Sequence, residues 1–254
     1  MEIVPSITPV LVCLASLLAV IPIAVLGKSP NLRETATIIA GLIKLSLVLS
    51  MFPGVLAGKV YEFTFLELVK GVPLQFRVDG LGMIFALVAS SLWILTSFYS
   101  IGYMRGLKEH AQTRFYCFFA ISLSATLGVA FSANLLTLYV FYEMLSLATY
   151  PLVTHNQDKE ARSGGRTYLT YLLSTSIGFV LPAMLFCYFK SGSSLTFTES
   201  HDWTAVLGST EVLILLILFV FGFAKAGIMP FHSWLPNAMV APTPVSALLH
   251  AVAV

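Results

Sequence analysis

Apolar runs of membrane-spanning length recur along this chain, and they leave it little choice of solvent. A helix that crosses a hydrocarbon core needs about 20 mostly apolar residues. Such runs occupy about 6–27, 35–57, 80–104, 113–131, 133–153, 167–189 and 211–229, with a shorter piece from about 243 onward. Charged residues are only 10% of the 254 positions, against about 25% in a soluble domain, so water is not the main solvent. The expected fold is an all-α membrane protein of about seven full transmembrane helices plus a partial eighth, read as a single transmembrane domain over residues 1–254. The Ser132–Asn134 turn makes the fourth and fifth runs a tight antiparallel pair, and Asp79–Gly80 is a helix start signal. The first run lacks a basic leader and contains Pro5, Pro9 and Pro22 without a small-residue cleavage site. It reads as a retained span and not as a signal peptide.

Several function classes are excluded at this level. Net charge is only +2, without a basic tract, so nucleic acid is not an expected partner. Cys13, Cys117 and Cys187 lie in separate apolar runs, too dispersed for a CxxC-type metal site or an iron–sulfur cluster held by this chain alone. Orientation follows the distribution of Lys and Arg. Connections after spans one, three and five hold Lys28, Arg33, Arg105, Lys108, Arg114, Lys159, Arg162 and Arg166, while the other side holds Lys59, Lys70, Arg77 and Lys190. This bias places the N-terminus outside and the odd-numbered connections in the cytoplasm.

An ionisable group near the bilayer centre costs at least about 2.5–3.5 kcal/mol and usually faces the bundle interior. Three residues meet this description. Glu143 lies midway along the fifth run, with Thr137, Ser146 and Thr149 as hydrogen-bonding neighbours. It is either a carboxylate poised to take and release a proton or half of a fixed ion pair between helices. Lys225 ends an almost wholly apolar run, and Pro230 and Pro236 follow. Proline breaks a helix locally, and transporters place such breaks at ion sites, so the seventh helix is expected to be discontinuous. Lys225 is then a proton carrier, or it snorkels to the cytoplasmic interface. Lys44, beside Gly41 and Ser46 in the second run, lacks a proline break or a polar companion, and snorkelling or a structural pair suits it better. His232, between the two prolines, and His250, in the last apolar segment, are either proton relays or histidines satisfied by a carbonyl. His155 and His201 read as interfacial or loop residues.

The run from Lys225 through Pro230, His232, Trp234, Pro236 and Pro242 to His250 resembles the signature of the antiporter-like subunits. These occur in respiratory complex I (NADH–quinone oxidoreductase), in multisubunit sodium/proton antiporters and in membrane-bound energy-converting hydrogenases. Support continues in Phe141–Pro151, in Tyr168 with Ser174–Gly178, and in Val78–Met83, whereas the first two spans match only in character. The resemblance implies that the family's fifth-span glutamate falls on Glu143 and the lysine of its broken seventh helix on Lys225. Making and breaking that ion pair would gate proton movement. It places the family's relay histidine on His250, with His232 as a possible further point on the path, and maps the helix break onto Pro230 to Pro236. Lys44 has no counterpart.

The resemblance also divides the chain into N-terminal peripheral helices, 1–78, and an incomplete first inverted repeat, 79–254. Family members carry a further lysine shortly after His250 and a second repeat, so a partner chain supplying that half is expected. The implied function is proton (or sodium/proton) translocation as a subunit of a redox-driven NADH–quinone oxidoreductase or hydrogenase complex in a prokaryotic cytoplasmic membrane. No cofactor is expected on this chain, and flavin, iron–sulfur clusters or nickel–iron would belong to partner subunits. The alternatives are a subunit of a redox-independent sodium/proton antiporter, or a truncated structural subunit without transport.

Overall fold

The computed structural model describes residues 2–190, 195–197 and 207–253; His201 lies outside them. Among the described residues, six helical segments are long and apolar enough to cross a membrane: Thr8–Val25, Pro30–Leu56, Gly80–Gly106, Gln112–Ala130, Leu135–Val153 and Lys159–Lys190. The first comprises α1 (Thr8–Leu18) and α2 (Val20–Val25). The next four are α3 (Pro30–Leu56), α4 (Gly80–Gly106), α5 (Gln112–Ala130) and α6 (Leu135–Val153). The sixth is α7 (Lys159–Thr175), a π-helical turn over Ser176–Val180, and α8 (Leu181–Lys190). In α3 only 28% of the most apolar window is buried, so its outer face, with Ile39, Leu42, Ile43 and Leu49, would lie against water if the chain were soluble. A contiguous apolar surface of this extent needs lipid or another chain. The protein is an integral membrane protein.

Two expectations are corrected. The seventh apolar run is a helix of only 14 residues, α9 (Ser209–Gly222), or about 21 Å at 1.5 Å per residue, short of the roughly 30 Å hydrocarbon core. It is followed by α10 (Trp234–Ala238), α11 (Thr243–Leu248) and a π-helical turn over Leu249–Ala253. Nor is the chain all-α. Strands β1 (Glu2–Pro5), β2 (Lys59–Val69) and β3 (Val72–Val78) form one sheet in the order β1-β2-β3. β1 runs parallel to β2, with Glu2 opposite Lys59, and β2 runs antiparallel to β3, with Phe63 opposite Phe76. The hairpin signal is local: β-branched and aromatic residues recur along both strands, and Lys70–Gly71 joins them with Gly71 at φ 79°.

The sheet closes one end of the bundle. The Arg77 amide donates to the Phe131 carbonyl at 2.6 Å, and the Ala133 amide donates to Gln75 at 3.0 Å. The Asn134 side-chain amide donates to the Pro73 carbonyl at 2.7 Å, so β3 grips the α5–α6 turn. Asn134 also caps α6 by accepting from the Thr137 amide at 2.8 Å, as Asp79 caps α4 and Asp158 caps α7. At the opposite end, the connections after the first, third and fifth spans meet. Arg33, assigned above to a connection, instead lies in the first turns of α3, which starts at Pro30. It is buried, donates to Gln112 at 2.7 Å, and touches Glu34, which also binds Arg105 from α4.

Between the two ends, α5 and α6 pack closely at Gly128, where a Cβ would collide with the Phe141 ring. Gly128→Ala should therefore overpack this crossing and lower stability by about 1–3 kcal/mol. Thermal unfolding in detergent checks this, and adding Phe141→Leu should recover most of the loss.

Candidate functional site

The local reason for the site is a backbone interruption. α9 ends at Gly222, and a 3-10 turn, Ala224–Ala226, carries Lys225. Gly227 closes that turn at φ 64°, a conformation that favours glycine. Gly222 itself is a close approach. A Cβ there would strike the Val180 side chain and lie 3.0 Å from the Val180 backbone nitrogen. The end of α9 is thus seated on the π-helical turn of the sixth span, and two irregular backbone segments meet.

This placement corrects the position of the break, which opens before Lys225 and not after it. Pro230 precedes a second 3-10 turn, Phe231–Ser233, within the interruption. Pro236 falls inside α10, in its first turn, where the missing amide hydrogen costs little. The returning chain is anchored by Trp234, whose indole donates to the Ala224 carbonyl at 2.8 Å. Its ring meets Tyr168 edge-on at 5.4 Å, and the Tyr168 hydroxyl bonds to Thr149 on α6 at 2.5 Å.

The Lys225 side chain is only 4% exposed, so it does not snorkel. Its Nζ donates to the Tyr142 carbonyl at 2.8 Å and lies 3.9 Å from the centre of the Tyr142 ring. Its own amide reaches the Tyr142 hydroxyl at 3.4 Å. Among the described residues no carboxylate lies within 4.0 Å of this ammonium. Glu143 is the next residue along α6, half-buried on a shallow apolar groove of about 540 Å³ lined by Phe118, Ile121, Tyr139 and Leu147. One of its carboxylate oxygens, Oε1, is buried without a hydrogen-bond partner. The structure therefore brings Lys225 to the residue beside Glu143 without closing a contact pair.

His232 and His250 are exposed, and neither is hydrogen-bonded to Lys225 or Glu143. Lys44 departs from the snorkelling expectation. It is fully buried, donates to Ser16 Oγ at 3.0 Å and to the Leu123 carbonyl at 2.9 Å, and lies 5.2 Å from the centre of the Trp93 ring. Both buried lysines thus end on a helix carbonyl and an aromatic ring. Tyr142 was the residue sequence reasoning missed. Its signal was only its position beside Glu143, because the group that acts is a main-chain carbonyl that any residue possesses.

A buried lysine at a helix break, in a bundle of long apolar helices, marks a membrane protein with an ionisable side chain in its interior. Residues 132–254 match the family described as "NADH:quinone oxidoreductase/Mrp antiporter, TM". Residues 69–116 match the one described as "NADH-Ubiquinone oxidoreductase (complex I), chain 5 N-terminus". The chain belongs to this family of antiporter-like subunits. It is 32% identical over 182 residues to a Na(+)/H(+) antiporter subunit A1 of Staphylococcus aureus, covering 71% of this chain and 22% of that protein. Its fold is similar to that of a chain in the membrane-bound sulfane sulfur reductase, an archaeal respiratory membrane complex, with TM-score 0.80 and 20% identity over 98% of this chain and 51% of that one. A chain of respiratory complex I from Thermus thermophilus gives TM-score 0.70 and 23% identity over 95% and 50%. The protein therefore spans under a quarter of that antiporter subunit and about half of these solved chains.

The anchoring of the break is testable by itself. Trp234→Phe should retain the ring contact with Tyr168 but lose the bond to Ala224, at a cost of about 1 kcal/mol, whereas Trp234→Ala should cost about 3–5 kcal/mol. Thermal unfolding of both variants in detergent gives the comparison.

Proposed function

We propose that this chain is an ion-translocating subunit of a multisubunit membrane complex, in which Lys225 carries a proton and Glu143 governs its release. The observation that carries this reading is the lodging of Lys225 Nζ, at a helix break, on the carbonyl of Tyr142 beside Glu143. A carbonyl and a ring stabilise a cation without neutralising it, so the proton on Lys225 stays exchangeable. A carboxylate in direct contact would hold it more strongly. Transfer of the ammonium from Tyr142 to Glu143 closes the pair, and its return reopens it. Charge separation in a low-dielectric interior alters the proton affinity of both groups enough to direct transfer. His250, with His232 as a further station, would pass the proton onward as neutral imidazoles can.

In this reading the N-terminus is outside and the Arg33–Glu34–Arg105 end is cytoplasmic, in a prokaryotic inner membrane, on the strength of the Lys and Arg bias. The drive comes from electron transfer in an NADH–quinone oxidoreductase-like or hydrogenase-like complex, with all redox centres on partner subunits. A second reading is a redox-independent sodium/proton antiporter, and the 32% identity to the Staphylococcus aureus antiporter subunit over 71% of this chain supports it.

Inverted vesicles carrying the assembled complex test the proposal. Lys225→Ala and Glu143→Gln should each reduce proton movement by roughly a hundredfold with assembly intact, while Tyr142→Phe, which keeps both carbonyl and ring, should retain most of it. Undiminished pumping by a normally assembled Lys225→Ala complex would sink the transport reading and leave a structural subunit. Proton movement that needs an electron donor identifies the redox drive; movement set off by an imposed sodium gradient alone identifies the antiporter.

A further inference from the structure

Away from Lys225, at the end of the bundle where the α4–α5 and α6–α7 connections meet, one histidine ring is buried. His155, two residues beyond α6, has a side chain of 0% exposure, yet neither Nδ1 nor Nε2 makes a hydrogen bond of ordinary geometry, although the His110 backbone lies beside the ring. Buried polar atoms in native proteins are nearly always satisfied, so two orphaned nitrogens on one ring call for a ligand. Facing that ring from the α4–α5 connection are Glu109 and His110. The Glu109 carboxylate Oε2 is 3.9 Å from His155 Nε2 and 3.8 Å from His110 Nδ1, both too long for hydrogen bonds. A potential ligand atom from each of the three residues lies within 4.8 Å of the other two.

These separations are near those of atoms that share one ion. Zinc binds imidazole nitrogen and carboxylate oxygen at about 2.0–2.2 Å in a tetrahedral shell, so two of its ligand atoms sit about 3.4 Å apart, and the two separations to Glu109 would each close by about half an ångström around a bound ion. Two imidazoles and a carboxylate are a donor set for zinc or a similar divalent transition metal, and a poor one for magnesium or calcium, which prefer all-oxygen shells. Access is available from one side, because His110 is 51% exposed and Glu109 22% exposed, while His155 forms the floor. The Phe115 ring packs edge-on against His155 at 6.0 Å. The surrounding backbone is held in unusual conformations. Lys108 (φ 52°) and Ala111 (φ 50°) flank Glu109 and His110, and Gln157 (φ 57°) follows His155; these are all the left-handed non-glycine residues among those described. Such conformations cost about 1–3 kcal/mol each and cluster at functional sites. One feature opposes tight binding: Arg114 donates to the His155 carbonyl at 2.7 Å and brings a positive charge close by.

We propose that Glu109, His110 and His155 form a binding site for a divalent transition metal of the zinc class. The ion ties the α4–α5 connection to the α6–α7 connection and so clamps the ends of α5, α6 and α7 together. Solvent or an added anion completes its fourth position. The site stands independently of the ion-translocation reading, because its test measures binding.

The complex containing this chain, purified in detergent and stripped with EDTA, is titrated with Zn²⁺ by equilibrium dialysis with elemental analysis, and separately with Co²⁺ by visible absorption. The wild-type complex should bind one more zinc than a Glu109→Gln/His110→Ala complex, and each single variant should weaken that site by roughly tenfold or more, since even outer-shell changes commonly cost that much. Co²⁺ should give a tetrahedral-type spectrum that the double variant loses. Glu109 and His110 are the primary variants because both are partly exposed and tolerate replacement; His155→Gln is then added. Equal zinc stoichiometry and affinity in the wild-type and double-variant complexes would overturn the proposal and leave His155 to a bridging water.

Discussion

The Lys225 ammonium lies inside the bundle on a carbonyl and a ring of α6, and the helix that leads to it stops just before it. Ending at Gly222, α9 turns the lysine toward α6, where the Tyr142 carbonyl and ring take up the charge. Three packing contacts keep the interruption in place: Gly222 against the π-helical turn of the sixth span, Trp234 against the Ala224 carbonyl, and Tyr168 linking Trp234 to Thr149. Irregular backbone in a membrane must be covered by protein, and here the sixth span and α6 provide much of the cover.

The two ends of the bundle are fastened differently. At one, a small sheet hydrogen-bonds to the α5–α6 turn and fixes the hairpin that carries Tyr142 and Glu143. At the other, Arg33, Glu34 and Arg105 join α3 to α4, and Arg33 with Gln112 extends the tie to α5. Arg33 and Glu34 are buried while Arg105 is partly exposed, and their pairing offsets the desolvation of the buried charges. Lys44 completes the interior, held by Ser16 of α1 and the Leu123 carbonyl of α5. The two buried lysines therefore flank the α5–α6 hairpin, one bonded to each of its helices.

Much of this was legible in the residues. The apolar runs located the spans to within a few positions, except that α7 begins at Lys159 and α9 ends at Gly222. The β2–β3 hairpin carried its own signal in Lys70–Gly71, which is easily passed over beside much longer apolar runs. Pro230 and Pro236 pointed to an interruption but not to its start, because the helix ends at a glycine packed against another helix, a non-local cause. The Glu109, His110 and His155 cluster was invisible, since it joins two connections separated by two whole helices.

The sequence by itself determined that the chain lives in a membrane and that Glu143, Lys225 and Lys44 are ionisable residues within its apolar runs. Those conclusions need only local composition and length, which the bilayer converts directly into spans. Tertiary structure alone decided the partners: Lys225 on a backbone carbonyl instead of the Glu143 carboxylate, Lys44 enclosed instead of snorkelling, His232 and His250 exposed. The physical reason is that a long side chain can reach several neighbours, and which one it meets depends on how helices distant in sequence are packed and where their backbones break.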